Sequence, residues 1–270
     1  MPILNKDMTL CISLAGRPSN IGTRFHNYLY DELGLNFVYK AFTTDDIAGA
    51  ITGVRALGIR GCSVSMPFKE AVIPLLDEIE PSAAAIDSVN TIVNDGGRLS
   101  GSNTDYEAVA QLLAEHSVDP AASVLVRGSG GMAKAVVAAF HGAGFRDLTV
   151  VARNDEAGRA LAERYGFQAV TEDPAPGHAV IVNVTPLGMN GTDAEALAFS
   201  TDHIEAAERV FDVVAFPSET PLIRAARERG VAVITGAEVI ALQAARQFAR
   251  YTGVTPTPEQ VARASEFSRT

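Results

Sequence analysis

The stretch VLVRGSGGMAKAV, residues 124–136, limits what this chain can fold into more than any other. A run of β-prone residues enters a glycine-rich turn, and the turn enters a helix-forming segment. This strand–turn–helix unit has the form of a dinucleotide-binding fingerprint and needs a parallel sheet around it. In the turn Gly128-Ser129-Gly130-Gly131-Met132-Ala133, Gly128 allows the tight bend and Gly130 lets the backbone approach a pyrophosphate. Ala133 takes the small packing position. The pyrophosphate would rest on the amides that open the helix. A tight strand-to-helix turn with no ligand is the plainer reading of the same residues. Such units usually open their domain, yet here more than a hundred residues come first.

Those residues already alternate strand and helix. LCISLAG reads as a strand, and TRFHNYLYDELG as a helix with Phe25, Tyr28, Leu29 and Leu33 on one face, stopped at Gly34. FVYKAF is a strand, DIAGAITGVRALG a helix ended by Gly58, and GCSVSM a strand broken by Pro67. A helix is expected over EAVIPLLDEI. VNTIVND and RLSGSNTD form a hairpin about Asp95-Gly96-Gly97. The alternation predicts an α/β, mostly parallel first domain.

From about Asp105 the rhythm continues through the helix YEAVAQLLAEH, then SVLVRG and the apolar strands LTVVAR and AVIVNVT, with RVFDVVAF and VAVIT completing the set. Near-continuous apolar strands suit a sheet covered on both faces. The helical tail after Gly236 has no place in a nucleotide domain complete by then, so it is expected to fold back onto the first domain. The expected domains are 1–104 plus 237–270, and 105–236.

Charge narrows the partners. A net charge of −10 argues against nucleic acid or an anionic membrane, since both need a basic face. Cys11 and Cys62 lie in apolar strands and are expected as buried free thiols, which suits a reducing cytosol. MPILNKDMTLCISLAG lacks a basic start and is interrupted by Lys6 and Asp7, so no signal peptide is expected, and no apolar run is long enough to span a bilayer. The expectation is a soluble cytoplasmic protein, monomer or homodimer.

The strand after the fingerprint selects the dinucleotide. An NAD site would place Asp or Glu at its end for the ribose 2′-hydroxyl. LTVVARNDEAGR instead places Ala152, Arg153 and Asn154 there. A guanidinium suits a 2′-phosphate, which points to NADP; a surface ion pair with Asp155 or Glu156 is the alternative. In the first domain, SVSMPFKEA and SNTDYEA put Lys69 and Asp105 at strand ends, where ligands of open α/β sheets bind. Singly, each also reads as a solvated lysine and a helix cap.

With these blocks in order, the chain resembles the shikimate dehydrogenase family over nearly its whole length, most closely its divergent shikimate dehydrogenase-like branch. The family's NVTxPxK is similar to Ser63-Val64-Ser65-Met66-Pro67-Phe68-Lys69, its AVNT to Ser88-Val89-Asn90-Thr91, and its NTD to Asn103-Thr104-Asp105. NxTPLGM stands as Asn183-Val184-Thr185-Pro186-Leu187-Gly188-Met189, DxxYxPxxTPL as 212–222, and GxxMLxxQA as 236–244. The resemblance implies a substrate domain built from the first domain and the C-terminal helices, with a Rossmann-type NADP domain between them. It implies an oxidoreductase of the chorismate pathway of aromatic amino acid biosynthesis, acting without metal on a small cyclic hydroxy acid. Shikimate is the first candidate, with quinate or an aminoshikimate-type substrate as alternatives, and a feeble NADP-binding sensor as an alternative of another class.

The implied catalytic pair is Lys69 and Asp105, with Ser65, Asn90 and Gln243 on substrate hydroxyls. Gly128, Ser129, Gly130, Gly131, Met132, residues 152–157 with Arg153 and Asn154, Thr185, Pro186, Val213 and Gly236 would line the cofactor. The chain also departs from the family. The Ser-x-Ser-Pro that grips the substrate carboxylate, six to three residues before a His, is Asn20-Ile21-Gly22-Thr23 ahead of His26, in a loop two residues shorter. The family's substrate-contacting Tyr is Ala215, NTDG is NTDY, and the Thr of NVT is Ser65. These departures imply a changed or weakened shikimate site. Neutral drift, with shikimate held through Ser19, Asn20 or Thr23, is the alternative.

Overall fold

The computed structural model describes residues 4–269, which divide into two compact units. The first takes the chain up to Thr104 together with the chain from Ala241 onward, and the second takes Asp105–Ile240. The elements run β1 (Thr9–Leu14), α1 (Ile21–Glu32), β2 (Phe37–Phe42), α2 (Ile47–Ala56), β3 (Gly61–Val64), β4 (Glu78–Ile79), α3 (Pro81–Ala84), β5 (Thr91–Asp95) and β6 (Arg98–Ser102). They continue as α4 (Thr104–Glu115), β7 (Val124–Arg127), α5 (Gly131–Gly142), β8 (Leu148–Val151), α6 (Asp155–Arg164), β9 (Gln168–Val170), β10 (Val180–Asn183), α7 (Thr201–Ala206), β11 (Arg209–Asp212), α8 (Pro221–Glu228), β12 (Ala232–Thr235), α9 (Gly236–Thr252) and α10 (Pro258–Arg269).

The first unit is built on a sheet ordered β2-β1-β3-β5-β6-β4, parallel at β1–β2, β1–β3 and β4–β6, and antiparallel at β3–β5 and β5–β6. Strand alternation serves two cores. Ile12, Leu14, Cys62 and Val64 pack with Ile51 and Val54 of α2 on one face. Cys11 and Tyr39 pack with Phe25 and Leu29 of α1, Phe248 and Tyr251 of α9, and Val261 of α10 on the other. The C-terminal helices therefore return to this unit, as expected. A Cβ at Gly61 would overlap the Tyr251 ring, so the glycine is what lets α9 lie on the sheet.

On α1, Phe25 and Leu29 are buried while Tyr28 and Leu33 are half-buried, and the helix stops at Gly34. The hairpin turns through Gly96 and Gly97, both at positive φ. The helix expected over EAVIPLLDEI does not form. Pro74 has no N–H to give a helix, and the chain makes a 3₁₀ turn at Ile73–Leu75 followed by β4. Strand β4 pairs with β6, and this edge strand, like β9, α3 and α7, was not read from the sequence. Both cysteines are free and buried; burial lifts the Cys11 thiol to about 11 and that of Cys62 higher still.

The second unit is an all-parallel sheet ordered β12-β11-β10-β7-β8-β9. Read from its far edge this is the doubly wound order 3-2-1-4-5-6. Its central strands are buried on both faces, with Leu125, Ile181 and Val210 packing on Phe199, Leu222 and Ile223. No described helix is long and apolar enough to cross a membrane.

Buried His26 has a measurable consequence for folding. It is fully enclosed and stacks on Tyr39, with ring centroids 4.4 Å apart. Neither ring nitrogen has a hydrogen-bond partner among the described residues. Burial lowers its pKa from 6.5 to about 3; Gln247 nearby opposes the shift weakly, without a hydrogen bond of normal geometry. An unfolded chain takes up this proton as pH falls through 6.5, whereas the folded chain waits until about 3. The contribution of His26 is therefore complete above pH 6.5 and is lost below it, on the order of 3 kcal/mol between pH 7 and pH 4. Urea unfolding at pH 7, 5.5 and 4 checks this. His26→Leu should flatten the decline, and equal slopes for both proteins would refute the assignment.

Candidate active site

In the first unit, the polar residues gather at the ends of β3, β5 and β6 and on the facing turns of α9. Asn90, just before β5, is buried, and its orientation is fixed because the Thr104 backbone N–H donates to its Oδ1 at 2.8 Å. The same oxygen accepts from Thr91 Oγ1 at 2.7 Å and faces Thr104 Oγ1 at 3.1 Å. Thr104 Oγ1 also lies 3.3 Å from Gln243 Oε1, and one hydroxyl proton serves one of the two oxygens at a time. Gln247 completes the group, donating to Thr91 Oγ1 at 3.0 Å and to the Asn90 carbonyl at 3.3 Å. The carboxamide oxygen of Asn90 is thus occupied internally by Thr104 N and Thr91 Oγ1, which leaves the Thr104 hydroxyl for that of Gln243. Their NH₂ groups have no protein acceptor among the described residues, which leaves two donors suited to hydroxyl oxygens.

Backbone bonds place Ser65 and Lys69 around this cluster. Val64 N donates to the Asn90 carbonyl at 2.8 Å, Phe68 N to that of Ser65 at 3.0 Å, and Val89 N to that of Lys69 at 2.9 Å. Ser65 is exposed just past β3, and Lys69 is half-buried with side-chain interactions of its own. Ser19, Asn20 and Thr23 stand apart. Ser19 and Asn20 are exposed, and Asn20 occupies the N-cap position of α1 without a side-chain capping bond. Thr23 Oγ1 is buried without a partner. No hydrogen bond among the described residues joins these three side chains to the Asn90 cluster.

In the second unit, the predicted cofactor positions form a row along the carboxyl ends of the strands. Gly128, after β7, has φ +117, and a Cβ there would press on Val184 and Thr185 at 3.0 Å. Gly130 caps α5, and a Cβ at Gly130 or Gly131 would meet nothing within 4 Å. Both are exposed and neither has positive φ, so the protein itself does not require glycine there. The open space fits a close approach of the backbone to a ligand. Ser129 and Met132 complete the turn half-buried. A Cβ at Gly236 would overlap the Val213–Val214 backbone, so this glycine lets α9 start against the loop after β11.

After β8, Ala152 is buried and Asn154 caps α6, accepting from Ala157 N at 3.0 Å. Arg153 is exposed, and Asp155 is paired with Arg159 at 2.7 Å instead. No carboxylate pairs with Arg153 among the described residues, so the ion-pair alternative is not what forms. Asp105 is the second residue of α4, half-buried in its first turn. The residues present therefore fit a dinucleotide with a 2′-phosphate: an open glycine cradle at a helix start and a guanidinium at the end of the next strand.

Sequence reasoning passed over Thr91, Thr104 and Gln247 as working parts of the cluster, and Asn183 and Asp212 in the second unit. Asn183 and Asp212 carried a signal, each being a polar residue that ends a run of apolar ones, Val180-Ile181-Val182 in β10 and Val210-Phe211 in β11. The amide cluster carried none, since its members lie up to 157 residues apart.

Fold and site define an α/β protein in which a Rossmann-type unit is joined to a mixed-sheet α/β unit with a polar cluster at its strand ends. The family model of the shikimate dehydrogenase substrate binding domain matches residues 20–92. A shikimate dehydrogenase-like protein of Haemophilus influenzae is 56% identical over 99% of each chain. A solved shikimate 5-dehydrogenase-like protein covers 99% of this chain and 100% of its own, at 56% identity and a TM-score of 0.97. Shikimate 5-dehydrogenase of Thermus thermophilus, solved with NADP(H) and shikimate, is 30% identical with a TM-score of 0.86, covering 97% of this chain and 100% of its own. Quinate dehydrogenase of Corynebacterium glutamicum, solved with NAD, is 28% identical with a TM-score of 0.85, covering 96% and 98%. The chain belongs to the shikimate dehydrogenase family.

Proposed function

We propose that this chain is an NADP-dependent dehydrogenase interconverting shikimate, or a close cyclic hydroxy acid, with its 3-keto form. The first unit with the C-terminal helices takes the substrate, and the second takes the cofactor. The observation that carries this reading is the amide cluster, where Asn90 and Gln243 each keep an NH₂ to offer a polyhydroxylated ring. Ser65 adds a hydroxyl beside them, and Ser19, Asn20 and Thr23 form the loop that meets the carboxylate.

A nicotinamide held by the second unit would supply the acceptor for the hydride that leaves the carbinol carbon. Lys69 either takes the hydroxyl proton or, as an ammonium, stabilises the negative charge developing on that oxygen. Asp105 accepts a hydrogen bond from the reacting hydroxyl and orients it. Gly128, Ser129, Gly130, Gly131 and Met132 receive the pyrophosphate, Ala152, Arg153 and Asn154 the 2′-phosphoribose, and Thr185, Pro186, Val213 and Gly236 the nicotinamide side. Oxidation of quinate is the second reading, favoured by the likeness to a quinate dehydrogenase. Steady-state turnover with a panel of cyclic hydroxy acids, each with NADP and NAD, tests both. Absence of turnover on every member would overturn the dehydrogenase reading.

Cofactor choice has its own test. NADP should bind at least about tenfold tighter than NAD, a difference of roughly 1.4 kcal/mol. Arg153→Ala should erase most of that gap, because the exposed guanidinium has no competing carboxylate among the described residues and is free for a phosphate. Fluorescence titration of both dinucleotides measures it, and equal wild-type affinities would reject NADP.

A further inference from the structure

Asp212 ends β11 and is completely buried. Its Oδ1 accepts from Asn183 Nδ2 at 3.0 Å and from Val214 N at 3.1 Å, and its Oδ2 from Thr220 Oγ1 at 2.6 Å. Asn183, at the end of the neighbouring β10, is satisfied at every polar atom. Its Nδ2 also donates to the Leu187 carbonyl at 3.2 Å, and its Oδ1 accepts from Thr185 N at 3.0 Å and Thr185 Oγ1 at 2.6 Å. Thr220 in turn caps α8 by accepting from Ile223 N at 3.1 Å. One carboxylate thus joins the loop after β10 to the loop after β11 and to the start of α8.

The choice of a carboxylate is informative. No cation pairs with it among the described residues. Burial raises its pKa from 3.8 to about 6, with its three donors opposing. Three donors converge on one short side chain, and only an acceptor-only group can take all three. A buried charge without a cation is costly, so its presence points to a demand for geometry rather than for stability.

The loops it joins are on one side of the sheet. Thr185 and Pro186 follow β10, and Val213 follows β11. Both strands lie across β7 from β8, which leads into Arg153. In the doubly wound order the two halves of a dinucleotide fall on the two halves of the sheet. We infer that Asp212, acting through Asn183, is a positioning residue that holds these loops in the form that receives the nicotinamide half of the cofactor. The inference rests on the proposed reading that the second unit takes NADP.

The test separates the two halves. Affinities for NADP⁺ and for adenosine 2′,5′-bisphosphate, which carries only the adenosine half, are measured by calorimetry at pH 8. Asp212→Asn places an NH₂ against converging donors. It should weaken NADP⁺ about tenfold or more and leave the bisphosphate within about twofold. Equal weakening of both ligands, or none, overturns the inference while the cofactor reading stands. A wild-type protein that binds neither ligand removes the cofactor reading and the inference with it. If Asp212→Asn does not fold, Thr220→Val should show the same NADP⁺-selective loss and Thr220→Ser should not; a Val variant that binds like wild type also overturns the inference.

Discussion

Lys69→Ala is expected to lower kcat on the order of 10²-fold or more while leaving the affinity for NADP unchanged. In the proposed reading the side chain acts on charge or a proton at the reacting hydroxyl, and such an interaction is strongest in the transition state. The backbone at this position is held independently, by the Val89 N–H on the Lys69 carbonyl and by Phe68 packed against the core. Removing the ammonium therefore leaves the segment in place, so a loss of rate would report chemistry rather than unfolding. Asp105→Asn should lower kcat as well, with a larger effect on substrate KM. Stopped-flow and steady-state rates with NADP titrations check both, and a Lys69→Ala protein of normal turnover would end the proposed role.

The second large effect concerns shikimate itself. Wild-type kcat/KM for shikimate should be poor, because Asn20 and Gly22 stand where two hydroxyls hold the carboxylate in the family's pattern. Asn20 can still donate through its amide, whereas Gly22 offers only its backbone. Ala215 is half-buried and leaves room where the family has a tyrosine. A looser ring misplaced by about 1 Å can cost roughly 10²-fold in rate. A serine at position 22 fits locally, since a Cβ there would lie 3.6 Å from Tyr39 OH, an ordinary contact. Ala215→Tyr, and a loop rebuilt as Ser-x-Ser-Pro with its two missing residues restored, should each raise kcat/KM. Wild-type efficiency matching an ordinary shikimate dehydrogenase, with no gain in either variant, would show that these departures are drift.

Local chemistry was legible in the sequence because local rules govern it. Apolar runs marked the strands, Gly34 and Gly58 the ends of two helices, and Asp95-Gly96-Gly97 the hairpin. The turn after β7 was readable because its glycines answer to close neighbours, Gly128 to its own φ and Gly130 to the space above it. Arg153 is proposed from one position, since a single charge at a strand end would distinguish a phosphate from a hydroxyl. Even here a local rule misled. The apolar spacing of EAVIPLLDEI suggested a helix, but Pro74 withheld the N–H, and pairing of Glu78 and Ile79 with β6 decided the outcome.

What tertiary structure alone decided is which polar groups share their hydrogens. Asn90 could be listed as a hydroxyl reader, but not that Thr104 and Thr91 would occupy its oxygen and leave its nitrogen as the donor. Asn183 and Asp212 could be seen to end apolar runs, but not that β10 and β11 run side by side with these two residues in register. The reason is that a hydrogen bond forms over about 3 Å, while sequence fixes distance only within a few residues. Sheet pairing brings together positions that the chain keeps far apart, and only then does a polar residue become part of a site.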